Sequence, residues 1–505
     1  MKKSFIVLLI LIINITIGFS FVSCVNEEDY TQDKNIKLSF SSDTISFDTI
    51  FTTVGSVTKQ VKIYNKEDKP IKINYITLGS GSNSYYRLNV DGDTSLMARD
   101  VEIKAKDSIF IFVRVEINPN NQNNPLLVQD SIIINFNNKQ QYIQLSAYGQ
   151  DAYYHKPNRI LSGNIPYSIA NEDSLWQGVE QNGKNLTFKT DKPHIILGTY
   201  VVDSSFTLNI PDGAKIYMAN NADLWVYKDG SININGSTNN KIVFQSLRYQ
   251  DRYSNIPGQW GKIWLMVGSK NNLISNAIIK NATIGIVVDS CVNNNPTLTL
   301  SNSIIENCSS VGLYGRGANI LGDNVIVQNT GSYTVALTIG GKYQFINSTF
   351  ANYWSYDNTR TKATLLLNNY YKDVNNTTQS RPITKAEFDN TIIYGSLIDN
   401  EIEFDLITDG LTTYKFDYCL IKSKNLTNNG SFFTNCIFNK EPLFKDILTN
   451  DLHLLKNSPA IANGDGAWNS TYPYDIFGTF RQDPPCIGAI EYTESSNSSR
   501  FSFLR

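Results

Sequence analysis

The sequence predicts an all-β chain in two parts, a small sandwich followed by a long coil of stacked strands, and three observations carry the prediction. The 505 residues hold 28 Tyr, 25 Phe and 6 Trp against 4 Met and 3 His, a mixture that suits pleated surfaces better than helices. Short alternating apolar runs separated by turn residues fill positions 36 to 148. A seven-residue unit then recurs seven times between 275 and 440, which is how a repeat architecture announces itself. A chain this long is not expected to form one compact core. With 18% charged residues and a net charge of -2, it offers no basic face for a nucleic acid.

At the start, Lys2 and Lys3 precede the apolar stretch Phe5 to Val22, and Ser23 and Cys24 follow: the charged start, apolar middle and small end of a secretory leader. The stretch is near the lower limit for spanning a bilayer. FVSCVNEEDY (21–30) resembles a bacterial lipoprotein signal, although Phe21 stands where such signals usually carry Leu. The resemblance implies that residues 1–23 are removed and that Cys24 is acylated, since several acyl chains anchor stably where one does not. Glu27, Glu28 and Asp29, in a tether of residues 24–35, resemble the short acidic signal that sends lipoproteins of some Gram-negative glycan users outward. The implied address is the outer membrane, lipid-anchored and facing the cell exterior, with the membrane as partner through the acyl anchor.

Residues 36–150 read as strands about ten residues apart, the spacing of an immunoglobulin-like β-sandwich. FDTIFTTVGSVTKQVKIYNKEDKPIKI resembles the opening of bacterial spacer domains of that type, and the triplets beginning at Asp43, Asp48, Asp107 and Asp130 resemble bacterial O-glycosylation acceptors. Pro157 and Gly163 mark residues 151–189 as linker and N-terminal cap.

Past residue 190, SNAIIKN (275–281), SNSIIEN (301–307), DNVIVQN (323–329), INSTFAN (346–352), DNTIIYG (389–395), DYCLIKS (417–423) and TNCIFNK (434–440) align without a gap. Their second positions are spaced by 26, 22, 23, 43, 28 and 17 residues. A leucine-rich repeat would need recurring Leu and a helical stretch; these units are β-branched and Asn-rich, so three short strands per turn, stacked at about 4.8 Å, fit the period. Together with PHIILGTYVV, LNIPDGAKIYMANNADLWVYKDGSININGS and GQWGKIWL, the pattern resembles the right-handed parallel β-helix of the pectin-lyase-like fold, assigned to residues 190–445. Strand alternation puts the third column (Ala277, Ser303, Val325, Ser348, Thr391, Cys419, Cys436) and the fifth (Ile279, Ile305, Val327, Phe350, Ile393, Ile421, Phe438) inside. Asn281, Asn307, Asn329 and Asn352 then face an inner corner, where stacked amides can bond. The fourth column, Ile278, Ile304, Ile326, Thr349, Ile392, Leu420 and Ile437, points outward, a stripe that needs a cover: the sandwich, a loop or a partner.

Cys419 and Cys436 share a column and are expected as stacked thiols rather than a disulfide. Six cysteines without a CxxC pair suit neither a disulfide scaffold nor zinc, and the pattern leaves the states of Cys291, Cys308 and Cys486 open. DLHLLKNSPAIANG (451–464) and DIFGTFRQDPPCIGAIEY (475–492) resemble the closing segment of many secreted bacterial β-helix proteins. That resemblance implies that residues 446–505 cap the last turn, with Asp451, His453, Asp475, Arg481 and Glu491 in structural roles.

Residues for chemistry are sparse. Inverting hydrolysis needs two carboxylates about 6.5 to 9.5 Å apart, and the Asp-Asp and His-Gly dipeptides of the fold's hydrolases are absent here. A lyase needs Ca²⁺ or Arg to neutralise a uronate carboxylate and a base for the adjacent proton. Asp289, Glu306 and Asp323 make no calcium set, and Arg316, Arg360, Lys362 and Arg381 sit in no matching motif, so no catalytic residue, metal or cofactor is expected. The 43-residue gap, an extra turn or an insertion, holds Tyr353, Trp354, Tyr356, Tyr370 and Tyr371, whose flat faces suit sugar rings. Tyr249, Tyr253, Trp260 and Trp264 form a second aromatic group. The expectation is a surface lipoprotein whose coil binds extracellular polysaccharide or another surface without catalysis. The alternatives are a divergent polysaccharide lyase and a structural, adhesive stalk; no protein partner is specified.

Overall fold

The computed structural model describes residues 30–52, 55–117, 126–173, 177–248, 253–290, 295–357 and 360–494. The leader, Cys24, Glu27, Glu28, Asp29, Tyr249 and Cys291 lie outside them. Among the described residues, helix is limited to short 3₁₀ turns such as Gly81–Asn83 and Gly466–Trp468, and no helix is long and apolar enough to cross a membrane. The chain divides into two compact units after Asp151.

The first unit is the expected sandwich. One sheet orders its strands Ser39–Phe40, Lys59–Tyr64, Ser108–Val115, Tyr86–Val90; the other orders them Thr44–Phe51, Lys139–Gln150, Leu126–Phe136, Ile71–Leu78, Met97–Ile103. Val61, Ile63, Ile111 and Val113 from one meet Ile73, Ile132, Ile134, Ile143 and Leu145 from the other in a single apolar core.

The second unit is a parallel β-helix of three sheets, with 11, 10 and 11 strands among the described residues. One turn illustrates the path: Ala277–Lys280 in the first sheet, Ile286–Asp289 in the second, Leu298–Ser301 in the third, then Ile304–Cys308 back in the first. The seven aligned units are successive strands of the first sheet, with Ile278, Ile304, Ile326, Thr349, Ile392, Leu420 and Ile437 in register. The 43-residue gap is a single turn, because Thr349–Asn352 pairs directly with Ile392–Gly395. Its extra length forms a loop before Leu365–Asn368 and a hairpin, Tyr370–Lys372 with Thr378–Ser380, after it. The coil also starts earlier than expected: Tyr153–His155 pairs in parallel with His194–Ile196, and Ile165–Ile169 with Thr199–Val202, so residues assigned to linker and cap already form a turn.

The interior columns are buried as expected, apart from the half-buried Phe438. Cys308, Cys419, Cys436 and Cys486 are free, buried thiols; those of Cys419 and Cys436 donate to the Phe388 and Phe416 carbonyls at 3.2 and 3.4 Å. Among the corner asparagines, Asn329 donates its side-chain amide to Asn307, and the second-column asparagines have a separate, backbone role. Asn276, Asn302, Asn324, Asn347, Asn390, Tyr418 and Asn435 all have φ between 47° and 53°, as single left-handed residues that turn the chain from the third sheet into the first. Asn tolerates that conformation better than other residues with a Cβ. Amide pairs Asn302–Asn324 and Asn347–Asn390, at 3.0 and 2.9 Å, tie neighbouring turns.

The outward stripe is covered by the chain itself. Leu452, Leu454, Ala460, Ile476, Ile487 and Ala489 pack on Ile326, Ile392 and Leu420, with Ile304 and Ile437 at the margins. The C-terminal segment therefore lies along the flank of the first sheet. The stacked stripe offers it far more apolar surface than one rung does. Asn324 Nδ2 donates to the Tyr474 carbonyl at 3.0 Å, Arg481 Nη2 to Asn324 Oδ1 at 2.7 Å, and the Ala489 amide to Thr349 Oγ1 at 3.0 Å. Arg481, 1% exposed, places Nη1 3.6 Å from Glu491, whose own amide donates to Asp475 at 2.9 Å. Burial, with the Glu491 carboxylate nearby, pushes the Cys486 thiol up to about 12.

Candidate functional site

With the first sheet covered, the second presents the more distinctive outward surface. Trp225, Trp264, Val287, Tyr314, Ala336, Leu366 and Glu403 stack in register on its outer side. Two residues along, Asp289, Arg316 and Thr338 form a polar column that continues to Asn368 and Asp405. Neighbouring strands bring these side chains together although the sequence holds them a full turn apart.

Arg316 is the best-held of them. Its Nε donates to Asp289 at 2.6 Å, and its guanidinium lies 5.6 Å from the Trp264 ring and 5.7 Å from that of Tyr314. Trp264 donates its indole N–H to the other Asp289 oxygen at 2.9 Å and meets Trp225 edge-on at 5.1 Å. A carboxylate thus fixes both a cation and an aromatic ring, as charge-assisted bonds do well.

Beside Arg316 opens a cleft of about 510 Å³ whose walls include Asp289, Ile339, Gly341, Tyr371 and Arg381, a size common among small-ligand sites. The inserted hairpin supplies Tyr371, and the chain just beyond it supplies Arg381, whose guanidinium is 5.7 Å from the Tyr371 ring. Ile339, Gly340 and Gly341 have φ of 61°, 71° and 123°, a left-handed run in which a β-branched residue is a genuine outlier. Asn368 holds it, accepting the Ile339 amide at 3.1 Å on its side chain and the Gly340 amide at 3.0 Å on its carbonyl. A Cβ on Gly340 would stand 2.2 Å from the Arg381 carbonyl, so glycine is what lets Arg381 close against the cleft.

The five aromatics of the long gap do not form one surface; Leu365–Asn368 separates them. Trp354 is 7% exposed and donates to Asp357 at 2.7 Å. Tyr353 packs edge-on to Phe444 at 6.2 Å, within the C-terminal cover. Tyr356 is 59% exposed, 5.9 Å from Trp354, and Tyr370 donates to Asp405 at 2.8 Å. Of the five, Tyr371 alone lines the cleft. In the second aromatic group, Trp260 is buried with its N–H on the Lys280 carbonyl at 2.9 Å, whereas Trp264 flanks the site. Arg360 is committed to a buried pair with Glu401. The Asp289–Arg316 pair escaped sequence reasoning because alignment followed the first sheet; aligning IVVD (286–289), LYGR (313–316) and VALT (335–338) would have stacked them.

Two other polar clusters are built into the coil. His155 bridges Asp173 at 2.6 Å and His194 at 2.9 Å, and His194 Nε2 reaches the Lys189 carbonyl at 2.8 Å; burial, with His155 alongside, pushes His194 down to about 3. On the third sheet, Asp389 stands in register with Asp417, and burial plus the Glu387 and Asp417 carboxylates push it up to about 6. Among the described residues no group of three or more His, Cys, Asp or Glu is arranged to hold a metal ion.

No protein-family model and no curated protein matches the sequence. Among solved structures, the chain is similar to the catalytic unit of a thermostable GH87 α-1,3-glucanase from Streptomyces thermodiastaticus, at 10% identity and a TM-score of 0.21 over 72% of this chain and 79% of that one. It is also similar to a family 123 glycoside hydrolase from Clostridium perfringens, at 10% identity and a TM-score of 0.19 over 26% of this chain and 30% of that one. A third likeness is to a PapD-like domain of human CEP192, at 12% identity and a TM-score of 0.16 over 23% and 87%. The chain thus spans under a third of the glycoside hydrolase's length, and likenesses this slight carry no argument about function.

Proposed function

We propose that the chain is a surface lipoprotein, fastened through Cys24 to the outer membrane and facing outward, whose second-sheet face binds extracellular polysaccharide without cleaving it. The observation that supports binding is the cleft where Arg316, fixed by Asp289 between Trp264 and Tyr314, stands with Tyr371 and Arg381. Aromatic faces supply stacking area for a sugar ring, and the guanidiniums supply donors for its oxygens. Binding rather than bond cleavage is favoured because Asp289 is the one carboxylate among the described lining residues, and both its oxygens are engaged.

Affinity electrophoresis of the full chain through a panel of polysaccharides tests the reading. Retardation by at least one polymer is expected, and Tyr371→Ala should weaken it; binding left unweakened by both Tyr371→Ala and Trp264→Ala would place the site elsewhere. Retardation by none would favour the structural stalk. A product absorbing in the ultraviolet from a uronate polymer would establish the lyase instead. Cys24→Ala should abolish lipid labelling, and a labelled variant would mean a different anchor.

A further inference from the structure

Resting on that reading, we infer that the cleft is built for an acidic sugar unit, its anionic group gripped between Arg316 and Arg381. The charges on its walls do not cancel. Asp289 neutralises one guanidinium, and Arg381 has no ion pair among the described residues. One positive charge is left over, which complements one anion.

The donors are also free. Arg316 uses Nε on Asp289, and its two terminal nitrogens make no hydrogen bond to a described side chain or carbonyl. A guanidinium locked between two rings with its outer fork unused is preorganised for the two oxygens of a carboxylate or sulfate. Lysine would lack that geometry. Holding the fork in place beforehand reduces the ordering cost of binding. Arg381 approaches from the inserted hairpin's return, and the glycine at 340 brings its backbone close to the cleft. The anion therefore sits between a rigid cation and an exposed one stacked on Tyr371.

The test pairs polymers that differ only in charge: alginate against its carboxyl-reduced form, and dextran sulfate against dextran, run with the full chain. The acidic member of at least one pair should bind about tenfold or more tightly than its neutral partner, the order expected of one charge-assisted contact. Which pair responds tells a carboxylate from a sulfate. Arg381→Gln, at an exposed position, should remove most of that difference while leaving the melting temperature unchanged. Arg316→Gln should do the same, with circular dichroism confirming the fold. Equal binding of acidic and neutral partners, or a preference unaffected by Arg381→Gln and Arg316→Gln, overturns the inference. If neutral glycans bind and Tyr371→Ala weakens that binding, the polysaccharide reading stands without it; if no polysaccharide binds, both fall.

Discussion

Two faces of one coil have opposite fates. The first sheet turns a stripe of Ile, Thr and Leu outward, and the chain's own last segment lies across it. The second sheet turns out Trp, Tyr, Asp and Arg, and a cleft stays open among them. Both faces are built by the same turns on the same interior. The difference teaches that the coil is a neutral frame, and that outward residues alone decide whether a face becomes core or site.

Substitutions should separate the faces. The largest effect is expected from Arg481→Ala, which leaves Glu491 buried beneath the cover without its cation and should cost about 3–5 kcal/mol; thermal unfolding and protease sensitivity within residues 444–490 would register it, while an unchanged melting temperature would show that the cover is not held there. Acid should weaken the frame under both faces alike. Folded His194 takes a proton only near pH 3, whereas an unfolded histidine takes one near 6.5. Its contribution is therefore intact above about 6.5 and shrinks as pH falls toward 3, by on the order of 1.4 kcal/mol per unit. Unfolding midpoints across that range should fall in the wild type and stay flatter in a folded His194→Gln variant.

On the open face, Tyr371→Ala should cost about 0.5–1.5 kcal/mol of glycan binding and under about 0.5 kcal/mol of stability, measured by titration and melting side by side. Losing stability instead would make the second face as structural as the first. The smallest effect is a gain: Tyr418 alone breaks the asparagine column at a left-handed corner, and Tyr418→Asn should stabilise by up to about 1 kcal/mol.

The first sheet was legible in the sequence for a local reason. Each of its seven aligned strands follows a left-handed corner that favours Asn and then alternates small and large interior residues, so the copies align without a gap. The second sheet has no such marker. Its strands begin at 286, 313, 335, 365 and 402, spacings that wander with the loops between them, and residues such as Arg316 are chosen for what stands outside. For the same reason the long gap stands out in the sequence but its aromatics are only neighbours along the chain, since a four-residue strand sends Tyr353 and Tyr371 to different corners. The cover was harder still. Its apolar residues could be seen, but the bonds that seat them reach back by 75 to 157 residues, and nothing within the segment states the address.

That distance sets an order of events. A turn of the coil closes through bonds such as Asn302–Asn324, 22 residues apart, and can form as soon as its strands exist. The cover is synthesised after the coil and must find partners over long loops, the slow kind of contact. Until the cover docks, an assembled coil has its isoleucine stripe bare, a surface that invites association with another chain. The last segment acts as a closing step in time as well as in space, and a chain cut before residue 444 should be made correctly and still be lost to its neighbours.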